Sequence, residues 1–212
     1  MYTPNHFKQE DLAAVQEAMT RSGFVSLVTQ TENGLTATQA PVILDPNEGE
    51  HGVLRGHIAR ANEQWKISLQ DREGMAIFLG PNGYVSPNWY AAKREHGRVV
   101  PTWNYIAVHA HGMVRFSEDS EVLRGIVTRL TEKHEANSER PWKVTDAPAD
   151  YVDNMLKAII AFELRITRLE ASWKLNQNRS EADRRGAMEG LREGGNEVSG
   201  EMARALERDQ KK

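Results

Sequence analysis

Arg55-Gly56-His57-Ile58-Ala59-Arg60-Ala61-Asn62-Glu63-Gln64-Trp65 is the stretch on which the fold turns. Val53 to Ile58 has strand character and Gln64 to Leu69 a short helical pattern, so the segment reads as a strand end, a bend and a helix opening. A helix opening leaves backbone N–H groups unpaired and suits an anion. His57, Arg60 and Asn62 gather at this strand end and can add donors, which makes it a candidate phosphate cradle. The same residues also fit an ordinary strand end, with Arg55 and His57 on one face and Arg60 in a surface ion pair.

Upstream, Leu12, Val15, Ala18 and Met19 lie on one face of a helix predicted over Lys8 to Ser22, which Gly23 ends. Phe24 to Gln30 and Leu35 to Leu44 read as strands of a hairpin turned by Glu32-Asn33-Gly34. Downstream, Met75 to Leu79 reads as a short buried strand that Gly80-Pro81-Asn82-Gly83 breaks, and Ser86 to Gly97 as a long loop. The segment ending near Phe116 is the longest clean strand, with Ile106, Val108, Ala110, Val114 and Phe116 on one face and His109, His111 and Met113 on the other. Asp119 to Glu135 is helical, with Val122, Leu123, Ile126, Val127 and Leu130 on one side. Tyr151 to Leu156 makes one or two helical turns. Ile159 to Ala171 is a further strand with Ile160, Phe162, Leu164 and Ile166 inward. Ser180-Glu181-Ala182-Asp183 resembles a capping box that opens a C-terminal helix, interrupted at Gly194-Gly195 and ending in a weak polar helix or frayed tail. Antiparallel strands with helices at the margins favour an α+β barrel over a doubly wound sheet.

Composition narrows the function classes. The 212 residues include no cysteine, which excludes disulfides, thiolate zinc sites and cysteine nucleophiles. A net charge of −3 provides no global attraction to nucleic acid. The N-terminus lacks the pattern of a signal peptide, and no apolar run approaches the ~20 residues of a membrane span, so a soluble cytoplasmic protein is expected. A Gly-x-Gly-x-x-Gly fingerprint and a Gly-x-Ser-x-Gly elbow are both missing. No catalytic acid or base stands out.

Two more segments carry candidate chemistry. Pro101-Thr102-Trp103-Asn104-Tyr105 sets two aromatics around an asparagine, suited to stacking on a planar heterocycle or to anchoring the preceding loop. Trp173-Lys174-Leu175-Asn176-Gln177-Asn178-Arg179 concentrates amide and basic groups at a strand end, suited to an anion or a ring edge or to leading into the helix cap. His109 and His111 share a strand face without a third metal ligand at a recognisable spacing, so no metal is assigned.

Taken in order, these motifs resemble the PaiB family of FMN-binding negative transcriptional regulators, itself similar to pyridoxamine-phosphate-oxidase-like split barrels. The resemblance rests on Met1 to Phe7, Arg55 to Asn62 with Trp65, Gly80-Pro81, Tyr84 to Pro87, Trp89-Tyr90, Val99 to Tyr105, Val108 to Ala110 and Trp173 to Arg179. It implies a six-stranded antiparallel split β-barrel with peripheral helices, here 1–180, and a C-terminal helical extension, 181–212. It further implies a homodimer binding FMN, with an oxidoreductase-like or redox-sensing role. Its phosphate would lie against His57, Ala59, Arg60, Ala61 and Asn62. Thr36, Thr38 and Gln39 would run beside the flavin, and Trp103, Asn104, Trp173, Lys174 and Gln177 would approach it from other strand ends. Two alternatives remain: a regulator that acts on DNA directly or indirectly, and a haem-binding barrel using His109 or His111. Asp and Glu outnumber Lys and Arg across 180–212, which argues against direct nucleic-acid binding.

Overall fold

Segments rich in threonine, valine and isoleucine form six strands: β1 (Phe24–Thr31), β2 (Gly34–Asp45), β3 (Val53–Ala59), β4 (Glu73–Val85), β5 (Thr102–Ser117) and β6 (Ile159–Lys174). The computed structural model describes residues 1–70 and 72–209. The strands close into a barrel in the order β1-β2-β3-β6-β5-β4. β1 pairs antiparallel with β2 and β4, and β3 with β2 and β6. The helices are α1 (Leu12–Ser22), α2 (Gln64–Ile67), α3 (Ala91–Glu95), α4 (Ser120–Glu135), α5 (Ala149–Leu156), α6 (Glu181–Glu193) and α7 (Val198–Asp209). The fold is therefore α+β, mainly β, and built on the expected six-stranded antiparallel barrel.

The residues group into two units. The larger holds Leu12–Phe78 and His109–Leu169. Its hairpin pairs Thr31 with Gly34 across the two residues Glu32 and Asn33, as the turn chemistry predicts. Leu27, Leu54, Ile160 and Leu164 are fully buried on inward faces of their strands. Gly56 is required where it stands: a Cβ there would lie 2.4 Å from the Pro41 carbonyl oxygen and 2.7 Å from the Phe162 ring. On the other face, Leu123, Ile126 and Leu130 of α4 and Val152 and Leu156 of α5 form one apolar cluster with Ile43 and Ala161. The Asp119 carboxylate starts α4 by accepting from the N–H groups of Glu121 (2.8 Å) and Val122 (3.2 Å). Val122, expected on the apolar side of α4, is instead 46% exposed.

The smaller unit holds Met1–Asp11, Leu79–Val108 and the segment from Glu170. Three sequence readings are corrected here. Gly80-Pro81-Asn82-Gly83 does not break the chain, because β4 continues to Val85. Buried positions along β4 instead change phase, from Gly74, Ala76 and Phe78 to Gly83 and Val85, as an irregularity in the pleat requires. Ser86 to Gly97 is not a plain loop: Ser86 accepts from the Asn88 N–H at 3.2 Å and caps a 3₁₀ turn at Pro87–Trp89, which leads into α3. The C-terminal segment, expected as a weak polar helix or a frayed tail, is a helix over Val198–Asp209, with a packed face. Val198, Met202, Ala205 and Leu206 give α7 a buried face, so its polar composition conceals a stripe of apolar residues at helical spacing. Positions 210–212 of the expected extension lie outside the described residues.

α6 is capped as expected, with Ser180 Oγ accepting from the Asp183 N–H at 3.2 Å. Asp183 turns outward from its own helix and accepts from the Ala92 N–H at 3.0 Å, capping the opening of α3. Gly190 makes room for the Trp89 indole, which would lie 2.3 Å from a Cβ.

Candidate functional site

The predicted contacts fall into two groups, one in each unit. In the larger unit, β3 ends at Ala59 and the chain turns into α2 through Arg60, Ala61 and Asn62. Asn62 organises the turn. Its N–H donates to the Ala59 carbonyl at 2.9 Å, its Oδ1 accepts from the Gln64 N–H at 2.9 Å, and its Nδ2 donates to the Thr38 hydroxyl at 2.7 Å. Thr36 lies two residues from Thr38 on the same face of β2, whereas Gln39 lies on the opposite face and accepts from the Ser26 hydroxyl at 3.0 Å.

Gln64, read from the sequence only as the start of a short helix, locks this turn to β1. Its Nε2 donates to the Leu27 carbonyl (3.0 Å) and the Thr29 hydroxyl (2.9 Å). Thr29 lies 2.7 Å from the Ser68 hydroxyl, which in turn donates to the Gln64 carbonyl at 2.6 Å. A buried glutamine with both amide protons used is a structural clamp. The only sequence signal was its place one residue before Trp65.

Arg60 donates from Nε to the Lys157 carbonyl at 2.5 Å and forms an ion pair through Nη1 with Glu118. Nη2 has no acceptor among the described residues, and neither do the N–H groups of Ala61 and Glu63. With the hydroxyls of Thr36 and Thr38, this is a set of donors of the kind a phosphate monoester takes. α2 is a single turn, so the site owes little to a helix macrodipole and depends on individual N–H groups.

His57 stands apart from these donors. It shares a face of β3 with Arg55, and it lines a cavity beneath α4 together with Pro41 and Leu130. Its Nδ1 is buried without a partner among the described residues, and burial lowers its pKa. Arg55 serves a charge network. It grips Glu48 through two bonds of 2.8 Å and reaches Glu163 at 2.8 Å and Asp45. The Arg129 guanidinium, and after it Arg55, hold the Asp45 carboxyl below its usual pKa.

In the smaller unit, Trp103 is 51% exposed, donates through Nε1 to Asn82 Oδ1 at 3.1 Å, and meets Tyr84 edge-on at 6.3 Å. Lys174 Nζ donates to the Thr102 hydroxyl (2.5 Å) and the Trp103 carbonyl (2.7 Å), and burial lowers its pKa. The other three predicted residues are engaged internally. Asn104 is fully buried, with Nδ2 donating to Met202 Sδ at 3.1 Å. Trp173 is buried, and its carbonyl accepts from Gln177 Nε2 at 2.5 Å. Gln177 Oε1 accepts from the Leu175 N–H at 2.8 Å. Asn176 adopts φ 63° and donates to the Tyr90 hydroxyl at 3.2 Å. Asn82 and Tyr84 beside Trp103, and the bond that ties Thr102 of the candidate motif to Lys174, are not legible in the sequence because each contact is made across strands.

Residues 1–168 match the family model described as "Putative FMN-binding domain". Over 212 residues the chain is 30% identical to protease synthase and sporulation protein PAI 2 of Bacillus subtilis, covering 100% of this chain and 99% of that protein. An uncharacterized protein of Aspergillus fumigatus is 35% identical over 188 residues, covering 73% of this chain and 72% of its own. Among solved structures, the flavocytochrome Anf3 of Azotobacter vinelandii superposes with a TM-score of 0.55 at 13% identity, covering 79% of this chain and 69% of that one. An FAD and heme binding protein of Mycobacterium smegmatis gives 0.54 at 10% identity, covering 79% and 73%. At these identities the two structures bear on the fold alone.

Proposed function

The chain belongs to the PaiB family of FMN-binding proteins, with FMN as its cofactor, and from that premise we propose a flavoprotein whose phosphate anchor is the Arg60–Asn62 turn. The observation that carries this reading is the donor set on that turn, Arg60 Nη2 and the N–H groups of Ala61 and Glu63, beside which Asn62 holds the Thr38 hydroxyl of β2, with Thr36 on the same strand face. Ala59 contributes the carbonyl that closes the turn on Asn62. A phosphate held by such donors gains roughly 1.5–3 kcal/mol per charge-assisted hydrogen bond.

In the smaller unit, Trp103 and Lys174 offer an indole face and an ammonium, chemistry suited to a flavin ring edge or a substrate anion. Gln39, Asn104, Trp173 and Gln177 act on the cofactor through the frame they hold, while His57 faces the cavity beneath α4. FMN supplies two-electron redox chemistry when bound, and the protein supplies binding, orientation and charge. The active form is a homodimer in the cytoplasm. The exposed side chains of Phe24 and Leu35 on the β1–β2 hairpin, 55% and 76% accessible, favour burial against another surface. A redox or redox-sensing role follows from the flavin, and any effect on transcription is indirect.

The test is the absorption spectrum of freshly purified protein and its thermal stability with added FMN or riboflavin. Flavin bands and a larger stabilisation by FMN than by riboflavin are expected, since a ligand bound only by the native state raises its stability. A colourless protein that neither compound stabilises defeats the proposal. A Soret band that is lost when His109 and His111 are replaced would establish the haem reading instead.

A further inference from the structure

The cavity that His57 lines, of about 330 Å³, opens beneath the C-terminal half of α4, within the larger unit. Its apolar lining comes from Pro41, Val127 and Leu130, with His57 on the strand side and Glu135 and Trp142 at the helix end. That volume suits a compact organic molecule. None of the phosphate donors on the Arg60–Asn62 turn lines it.

Three features fix the sign of the charge it would receive. Among the described residues Glu135 is the one carboxylate on the lining, and one of its oxygens accepts from the Trp142 N–H at 3.2 Å while the other has no donor. The cavity lies along the last turns of a 16-residue helix, whose carbonyl end carries a partial negative charge. The Trp142 indole, 46% exposed, also lines the cavity, and an indole is the aromatic ring that attracts cations most strongly. The opposing cations are turned aside. Lys133 lines a different cavity with Thr20 and Ile43, and burial keeps the His57 imidazole toward its neutral form. His134 stands exposed at the rim.

We propose that this cavity is a binding site for a small organic cation with an aromatic body, its ring on Pro41, Val127 and Leu130 and its charge between Glu135 and Trp142. The ammonium end stays partly hydrated at the rim while the ring leaves water, the usual division for an amphipathic ligand.

Titration calorimetry of the full chain saturated with FMN tests the site, using 2-phenylethylammonium, the neutral 2-phenylethanol and the anionic 3-phenylpropionate. The ammonium is expected to bind at least ~10-fold more tightly than the alcohol, and the carboxylate more weakly than both. Glu135→Gln keeps the acceptor for the Trp142 N–H and should bring ammonium and alcohol to within about twofold of each other. Trp142→Ala should weaken both. Each variant alters a surface side chain, and its unfolding curve checks that the fold is retained. Equal binding of ammonium and alcohol, no binding of any probe, or a cation preference that survives Glu135→Gln would overturn the proposal. So would displacement of the ammonium by FMN added to flavin-free protein, because the cavity would then belong to the flavin site.

Discussion

The turn after β3 and the turn after β6 look alike in sequence, since each ends a strand and enters a helix through an asparagine. They handle their polar groups in opposite ways. Asn62 uses its side chain to shape the turn, and three donors around it find no acceptor among the described residues. After β6, Asn176 donates to Tyr90, and Gln177 bridges the Trp173 carbonyl and the Leu175 N–H. The first turn keeps donors to offer, which is why we propose it for the phosphate, and the second is closed on itself. A high density of amide and basic side chains is therefore a poor guide to a binding site. What counts is how many donors remain after the local turn has satisfied itself.

The largest effect should come from the clamp that holds the first turn open. Gln64→Leu strands the Leu27 carbonyl and the Thr29–Ser68 pair in a buried setting, and should cost about 3 kcal/mol in urea unfolding. A loss below about 0.5 kcal/mol would show that the clamp is dispensable.

Next is affinity. Arg60→Ala should weaken FMN roughly 10- to 100-fold while leaving riboflavin nearly unchanged, whereas Gln177→Ala should affect both flavins alike and only slightly. Equal weakening of FMN and riboflavin by Arg60→Ala would mean that the guanidinium does not meet the phosphate, and the contrast between the turns would fail.

Smaller again is the cap that follows the second turn. Ser180→Ala removes the acceptor for the Asp183 N–H and should lower stability by about 1 kcal/mol without changing FMN affinity.

The smallest effect concerns His57. Burial lowers its pKa below the ordinary 6.5. As the pH falls through 6.5, the unfolded chain takes up a proton that the folded chain still refuses, so stability declines with acidification until the folded value is passed. Replacement by leucine should flatten that part of the stability–pH curve and leave the curve above neutrality parallel to that of the original chain. An unchanged acid limb would show that His57 is not held neutral by burial.

Much of the barrel was legible because strand alternation and turn residues are local signals. The hairpin turn at Glu32-Asn33, the helix expected from Asp119 to Glu135 and the inward set Ile160, Phe162, Leu164 and Ile166 all stand where their spacing places them. β4 was misread because glycine and proline usually mark a break, yet here the strand continues with a change of phase. The C-terminal helix was underrated because its apolar stripe is sparse. Val198, Met202 and Leu206 mean little until something lies against them.

The sequence by itself determined the antiparallel barrel, the family and the stretch Arg55–Trp65 as the phosphate candidate, since these rest on period, turn chemistry and the order of short motifs. Only the tertiary structure decided what each polar residue in that stretch does. Arg55 closes a carboxylate network, His57 faces the cavity under α4, Asn62 builds the turn, and Gln64 clamps it to β1. The physical reason is that a hydrogen bond depends on which partner lies within about 3 Å, and those partners, Thr38, Glu118, Lys157 and Leu27, are separated from the motif by 24 to 97 positions in the chain.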